Sequence, residues 1–250
     1  MVNSIKKMAA SVLINSTTGK LIRSVYGRQI PYNGAQIYCP TEFINDRSVA
    51  QLFFRVYEKQ EYRFVNQYLL PDLPVVELGS SIGVISIQIL NKGNRPVHLI
   101  EANPFLLDIL RQNIETNVKQ KGEYFIHNLA IHPSSTEGLF FKKGKSNTTG
   151  RLTNEAAADT IKVPTISLSA FLKREQIDGF ILVCDIEGAE LPLLLEDGDA
   201  LKNCRQLIIE THRSTHKETT FNAEDYSAVI QKLGFAEIQK HGRNYIFNKN

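Results

Sequence analysis

An α/β fold built on a mostly parallel sheet is what this sequence predicts, and three observations predict it. From residue 74 onward, short β-branched apolar runs alternate with helical stretches. Val75 and Val76 lead through Glu77 into a loop holding Gly79 and Gly83, after which Val84, Ile85, Ile87, Ile89 and Leu90 continue as a buried helix. Later apolar runs end in acids again, at Glu101, Asp185 and Glu210. Strand, glycine turn and helix together are how an open parallel sheet offers backbone N–H groups to a nucleotide-like ligand.

In chain order, a length of 250 residues fits one large α/β domain with an N-terminal extension, or two small domains. The expected division is an extension over 1–54 and a main domain over 55–250. Residues 1–45 are mixed, with turn signals at Thr18-Gly19, Tyr26-Gly27 and Asn33-Gly34. They read as a helix near 4–15, then short strands or loops around 21–38. Lys6 and Lys7 before MAASVLI have the look of a signal peptide, but the apolar stretch stops at Asn15. No run approaches the roughly 20 apolar residues of a membrane span.

Residues 48–70 read as one helix, from the spacing of Val49, Leu52, Phe53, Val56, Tyr57, Phe64, Val65, Tyr68 and Leu69. Core strands are expected at 74–78, 97–101, 123–127, 179–185 and 204–211. Asn103 is an N-cap with Pro104 at the first helical position, opening a helix that buries Leu106, Leu110, Ile114 and Val118. Between 128 and 168 the helical signal fades into strand-like runs at 137–142 and 160–167, joined by the basic loop KKGKSNTTGR at 142–151. A helix over 223–233, Gly234, and the runs FAEIQ and NYIFN about His241-Gly242 read as a helix and a closing hairpin.

Composition narrows the function. A hydrophobic content of 42% with 22% charged residues suits a soluble globular protein, and a net charge of +3 is too small to argue for nucleic acid. Cys39, Cys184 and Cys204 form no C-x-x-C pair and no metal spacing, which fits a reducing cytoplasm.

In a dinucleotide fold the loop reads G-x-G-x-x-G and cradles a pyrophosphate. Here Ser81 takes the middle glycine position, and no Lys or Arg stands in the loop. A carboxylate beside that turn would repel phosphate. It suits a ligand with an amino group and a cationic centre, such as S-adenosylmethionine. Glu101 would then accept hydrogen bonds from two ribose hydroxyls. The plainer alternative is that both acids only cap strand ends.

The fourth core strand ends in DIEGAE, 185–190, and the fifth in LIIETH, 207–212. With the altered opening Glu77-Leu78-Gly79-Ser80-Ser81-Ile82-Gly83 and the acid–Pro pattern of Glu101 to Pro104, the chain resembles the FkbM family of S-adenosylmethionine-dependent methyltransferases. The family's usual opening is Asp-x-Gly-Ala-Asn-x-Gly, so Ser81 replaces an Asn. The resemblance implies a Rossmann-like class I methyltransferase: a mostly parallel seven-stranded sheet with an antiparallel last strand and a β insertion after strand three. It implies methylation of a hydroxyl on a sugar, glycan or natural product. It also implies that Asn128 and the backbone at Ala130 meet the adenine, with Ala102 and Asn103 beside Glu101 in the cofactor site.

Methyl transfer asks the protein to align the acceptor, exclude water and take a proton. Asp185, Glu187, Glu210 and His212 are the candidates at the sheet's C-terminal mouth, with His212 the leading base and its titration expected near the working range. Glu190 reads equally as an acid at a helix N-terminus. Asp185, Glu187, Glu210 and His212 could also ligate a divalent cation, but the spacing does not demand it and no metal is expected. The basic loop suggests a lid that attracts an anionic acceptor. Competing readings are a nucleic-acid base methyltransferase, a non-catalytic cofactor-binding module and a nicotinamide dehydrogenase. DIEG in place of an Asn/Asp-Pro-Pro-aromatic turn opposes the first, and the loop acid with its missing glycine opposes the last.

Overall fold

The computed structural model describes residues 13–119, 122–133, 139–143, 150–153 and 156–249. The helix expected at 4–15 therefore falls almost wholly outside the described residues. The first helix seen, α1 (Ser16–Tyr26), occupies a stretch that the sequence reads as turns, strands or loops. The Asn15 side chain caps it, accepting from Thr18 N at 2.9 Å. Gly19 serves packing rather than a turn, since a Cβ there would lie 1.7 Å from the Asp46 carbonyl oxygen. Strands β1 (Gln29–Tyr32) and β2 (Ala35–Tyr38) form a hairpin about Asn33-Gly34, both at positive φ.

The single helix expected over 48–70 is two helices, α2 (Asp46–Phe53) and α3 (Lys59–Tyr68). Arg55 and Glu58 take φ of 57° and 44°, which ends one helix and starts the next. Apolar spacing runs on through Val56 and Tyr57, so periodicity alone hides the break. Side chains tie these N-terminal elements to each other and to the later helix Leu107–Asn117. Arg23 donates to Asp46 Oδ1 at 2.8 Å and to the carbonyls of Cys39 and Ile44. The Asn113 amide exchanges hydrogen bonds with the backbone of Tyr38.

Next come β3 (Val75–Leu78), α4 (Val84–Leu90), β4 (Val97–Ile100), a 3₁₀ turn at Pro104–Leu106, α5 (Leu107–Asn117) and β5 (Tyr124–His127). The insertion holds β6 (Ala130–Ile131), β7 (Leu139–Lys143), β8 (Gly150–Thr153), β9 (Thr160–Val163) and β10 (Thr165–Ile166). Strands β8, β7 and β9 make an antiparallel sheet in that order, and β10 pairs with β6. Most of the basic loop, 144–149, lies outside the described residues. The chain continues through α6 (Leu168–Arg174), β11 (Phe180–Cys184), α7 (Glu190–Glu196), β12 (Cys204–Glu210), the small hairpin β13 (Ser214–His216) and β14 (Thr219–Phe221), α8 (Asp225–Lys232), β15 (Phe235–His241) and β16 (Asn244–Lys249).

The main sheet has seven strands in the order β15-β16-β12-β11-β3-β4-β5. Strands β12, β11, β3, β4 and β5 run parallel, and β16 lies antiparallel between β12 and β15. This is the sheet that the resemblance implies. Strands buried on both faces read as continuous apolar runs, and alternation sorts their side chains. Ile181 and Val183 join the core under α4, α5 and the N-terminal elements, while Phe180, Leu182 and Cys184 join the one under α6, α7 and α8.

Candidate active site

The chain leaves β5 at one edge and re-enters the sheet at β11, beside β3. At such a switch point the strand-end loops part and open a crevice. The Asp185 N–H donates to Leu78 O at 3.0 Å, which sets DIEGAE against the glycine loop. Gly79 has φ 87°, and a Cβ on it would stand 1.9 Å from the Asp185 carbonyl oxygen. No other residue fits there. Gly83, the αL residue before α4, is a packing position against Leu110 rather than part of the cleft wall.

A cleft of about 680 Å³, including its open mouth, lies over these loops, within the size range of small-molecule sites. Gly79 and Ser81 line it from the glycine loop, and Glu101 and Ala102 from the end of the second core strand. Its apolar lining comes from Leu106, Leu129, Ala130, Ile131, Phe141 and Leu152. Its further acids are Glu58, Asp185 and Glu187.

Glu101 is held from both sides. Its Oε2 accepts from Ser81 N at 2.8 Å and its Oε1 from Asn103 N at 2.7 Å. Burial pushes its pKa up, and those two N–H groups oppose the push. Each oxygen keeps a further lone pair for a ligand. Asn103 and Asn128 do not line the cleft. The Asn103 side chain caps the following 3₁₀ turn, accepting from Phe105 N at 3.1 Å. The Asn128 amide donates to the carbonyls of Glu101 and Ala102, at 2.9 and 3.1 Å. Both hold the segment that carries Glu101 in place.

His212 and Glu210 do not themselves line the cleft; His212 reaches it through Asp185 and Glu187. The His212 Nδ1 lies 3.1 Å from Glu190 Oε1. Glu190 is fully buried and also accepts from the N–H groups of Ile186 and Gly188, each at 2.9 Å. It is thus the post that orients the ring. His212 Nε2 faces Glu187 at 3.5 Å, Asp185 at 3.9 Å and Glu210 at 4.0 Å. Glu210 in turn pairs with Arg243 at 2.5 Å.

Burial alone would lower the His212 pKa, but the Glu190 hydrogen bond and the neighbouring acids outweigh it and raise it to about 9. The expected titration near neutrality is corrected upward: Glu190, then Asp185 and Glu187, hold the proton on the ring. Burial, together with Glu210 and despite His212, keeps the Asp185 carboxyl well above the usual carboxylate range.

Glu77 turns away from the cleft into a smaller adjoining chamber of about 240 Å³ that it shares with Glu58, Glu61 and Asp185. Its Oε2 accepts from the Ser86 hydroxyl at 2.6 Å. Burial raises its pKa from 4.5 to about 7, against the Ser86 hydrogen bond. An acid whose pKa rises on folding binds its proton more tightly when folded. Its ionisation therefore costs stability from about pH 4.5 upward, in full above about pH 7. Glu77→Gln should gain about 1–3 kcal/mol over wild type above pH 7 and nothing near pH 4. Melting temperatures of both proteins across pH 4–8 check this, and a difference that stays constant with pH would refute it.

Sequence reasoning misses several residues of this site and of the chamber beside it. Glu61 has a readable signal: it is an acid on the buried stripe of α3, one turn before Phe64 and Val65. Glu58 has none, because only the break between α2 and α3 brings it to the mouth. Phe141 and Leu152 close the cleft through the three-stranded insertion, whose pairing the sequence shows only as strand-like runs.

The sheet order and a switch-point cleft carrying an anchored acid at the second strand's end define a Rossmann-like, S-adenosylmethionine-dependent methyltransferase. The chain belongs to the FkbM methyltransferase family, as the Methyltransferase FkbM domain matches residues 83–246. No curated protein sequence is a significant match to it.

Similar solved structures include the ribosomal protein L11 methylase from Lactobacillus delbrueckii subsp. bulgaricus, at 11% identity and TM-score 0.43, over 78% of this chain and 80% of that one. The M. jannaschii tRNA m1G37 methyltransferase aligns at 13% identity and TM-score 0.43, over 88% and 56%. The Pyrococcus abyssi tRNA (uracil-54, C5)-methyltransferase in complex with S-adenosyl-L-homocysteine aligns at 11% and 0.43, over 88% and 42%. Likenesses this loose carry no argument about the acceptor. No helix among the described residues is long and apolar enough to cross a membrane.

Proposed function

We propose that the protein methylates a hydroxyl of a small-molecule acceptor, a sugar, glycan or natural product. The observation that carries this is His212, its ring fixed through Nδ1 by Glu190 and its Nε2 turned toward Asp185 and Glu187 at the cleft mouth. A hydroxyl is a weak nucleophile until its proton is taken, and a positioned imidazole beside carboxylates suits that task. The cofactor, when bound, supplies a methyl group on a sulfonium. The residues of the cleft fit it: apolar Leu106, Ala130 and Phe141 would hold the adenine, Glu101 the ribose hydroxyls, and Asp185 with Glu58 would offset the positive charge.

The same acids disfavour a phosphate backbone near the reaction centre, which supports a small acceptor over nucleic acid. The anionic acceptor expected from the basic loop rests on residues mostly outside those described, and Lys142 is paired with Asp159 at 3.4 Å. Three free, buried cysteines support a reducing compartment such as the cytoplasm.

The test is to incubate the protein with S-adenosylmethionine labelled in its methyl group and fractionated extract of the source cells. Label should enter low-molecular-weight or glycan fractions and resist nuclease and protease. Label confined to nuclease-sensitive material would replace this reading with a nucleic-acid methyltransferase.

A further inference from the structure

The smaller chamber beyond Gly79 holds acids that the methyl-transfer reading leaves unused. Glu61 is 3% exposed, and no described residue gives it a hydrogen bond or an ion pair. It stands on the buried stripe of α3, where an apolar side chain would otherwise pack, and it faces into the chamber with Glu58, Glu77 and Asp185. Asp185 Oδ1 is likewise buried without a hydrogen-bond partner. Carboxylate oxygens of Glu61, Asp185 and Glu210 lie within 4.8 Å of one another. Two ligands of one ion, each about 2.0–2.6 Å from it, lie at most about 5 Å apart.

A buried carboxylate without a compensating charge is costly, and the cations nearby serve other members of the group. His212 faces Asp185, and Arg243 holds Glu210. Glu61 has neither. An all-oxygen donor set selects a hard divalent ion over zinc or copper.

We propose that Glu61, Asp185 and Glu210 bind one divalent, oxygen-seeking cation of the magnesium or manganese type. The sequence, which expects no metal, shows Asp185 and Glu210 at strand ends but cannot show that α3 delivers Glu61 to them. Asp185 borders both the chamber and the cleft, so the ion adjoins the acceptor's side of the site. There it would polarise a hydroxyl oxygen and ease the loss of its proton. That catalytic role rests on the O-methylation reading. The binding itself does not, and can be tested without an acceptor.

The experiment titrates the chelator-treated full chain with Mn²⁺ and reads free ion by electron paramagnetic resonance. One saturable site per chain is expected, with Mg²⁺ competing. Glu61→Gln, nearly isosteric and uncharged, should weaken that site at least about tenfold, the scale for disturbing even an outer partner of a metal. Its affinity for S-adenosylhomocysteine should stay unchanged, which shows that the fold survives. Glu61→Asp, which keeps the charge but shortens the reach, carries the same expectation should the amide variant fail to fold. Absence of saturable Mn²⁺ in the wild type would overturn the proposal, as would unchanged Mn²⁺ affinity in the variant. One-for-one displacement of Mn²⁺ by S-adenosylhomocysteine would overturn it too, by assigning these acids to the cofactor's ammonium group.

Discussion

His212→Asn is expected to cut turnover by about 10²–10⁴-fold, the usual contribution of a positioned base, while leaving S-adenosylhomocysteine affinity unchanged. Neither nitrogen of His212 is idle: Nδ1 is tied to Glu190, and Nε2 faces Glu187 and Asp185, which line the cleft. The surrounding acids raise its pKa to about 9, so at neutral pH the ring carries a proton. Only the deprotonated ring can act as a base. Wild-type turnover should therefore climb about tenfold per pH unit toward pH 9 and then level off.

Removing the largest raising influence, in Glu190→Gln, should bring the plateau to lower pH. A histidine variant that keeps the wild-type profile on the true acceptor would demote His212 to a structural partner of Glu190.

Glu101→Ala should weaken S-adenosylhomocysteine binding by about 1–3 kcal/mol, the range for charged hydrogen bonds. The loss has two sources in the structure. The acceptor oxygens for the ribose disappear, and the N–H groups of Ser81 and Asn103 lose the carboxylate that ties the glycine loop to the second strand's end. Glu101→Gln separates them, because it keeps one carbonyl oxygen for Ser81 or Asn103 but loses the charge. It should fall between wild type and the alanine variant in a calorimetric titration. Equal affinity in all three proteins would remove Glu101 from the cofactor site.

How legible each feature is in the sequence depends on how locally it is encoded. The core strands are legible because a strand buried on both faces is a mainly apolar run: FILVC is wholly so, and VVEL and VHLI are each broken by one polar residue, Glu77 and His98. Gly79 and the strand-end acids are legible because their positions are set by where the strands stop.

The breaks are less so. Gly19 signals a turn by type but sits inside α1, because its demand is contact with Asp46, distant in sequence. The α2–α3 break is invisible to a pattern that stays in phase through Val56 and Tyr57. That break delivers Glu58 to the mouth and Glu61 to the adjoining chamber, so the sequence underestimates the number of acids around Asp185. The raised pKa of His212 is hidden for a related reason: Glu190, which reads equally as a helix-terminal acid, is its hydrogen-bond partner only in the folded chain.

The most direct measurement of the central claim uses S-adenosylmethionine with a ¹³C-labelled methyl group. The wild-type protein transfers that label to its acceptor, and the carbon chemical shift of the product methyl is read. A methoxyl shift in a sugar, glycan or natural-product fraction is the predicted result, present with the wild type and lost with His212→Asn. A methylamine or C-methyl shift, or a labelled nucleic acid base, would contradict it.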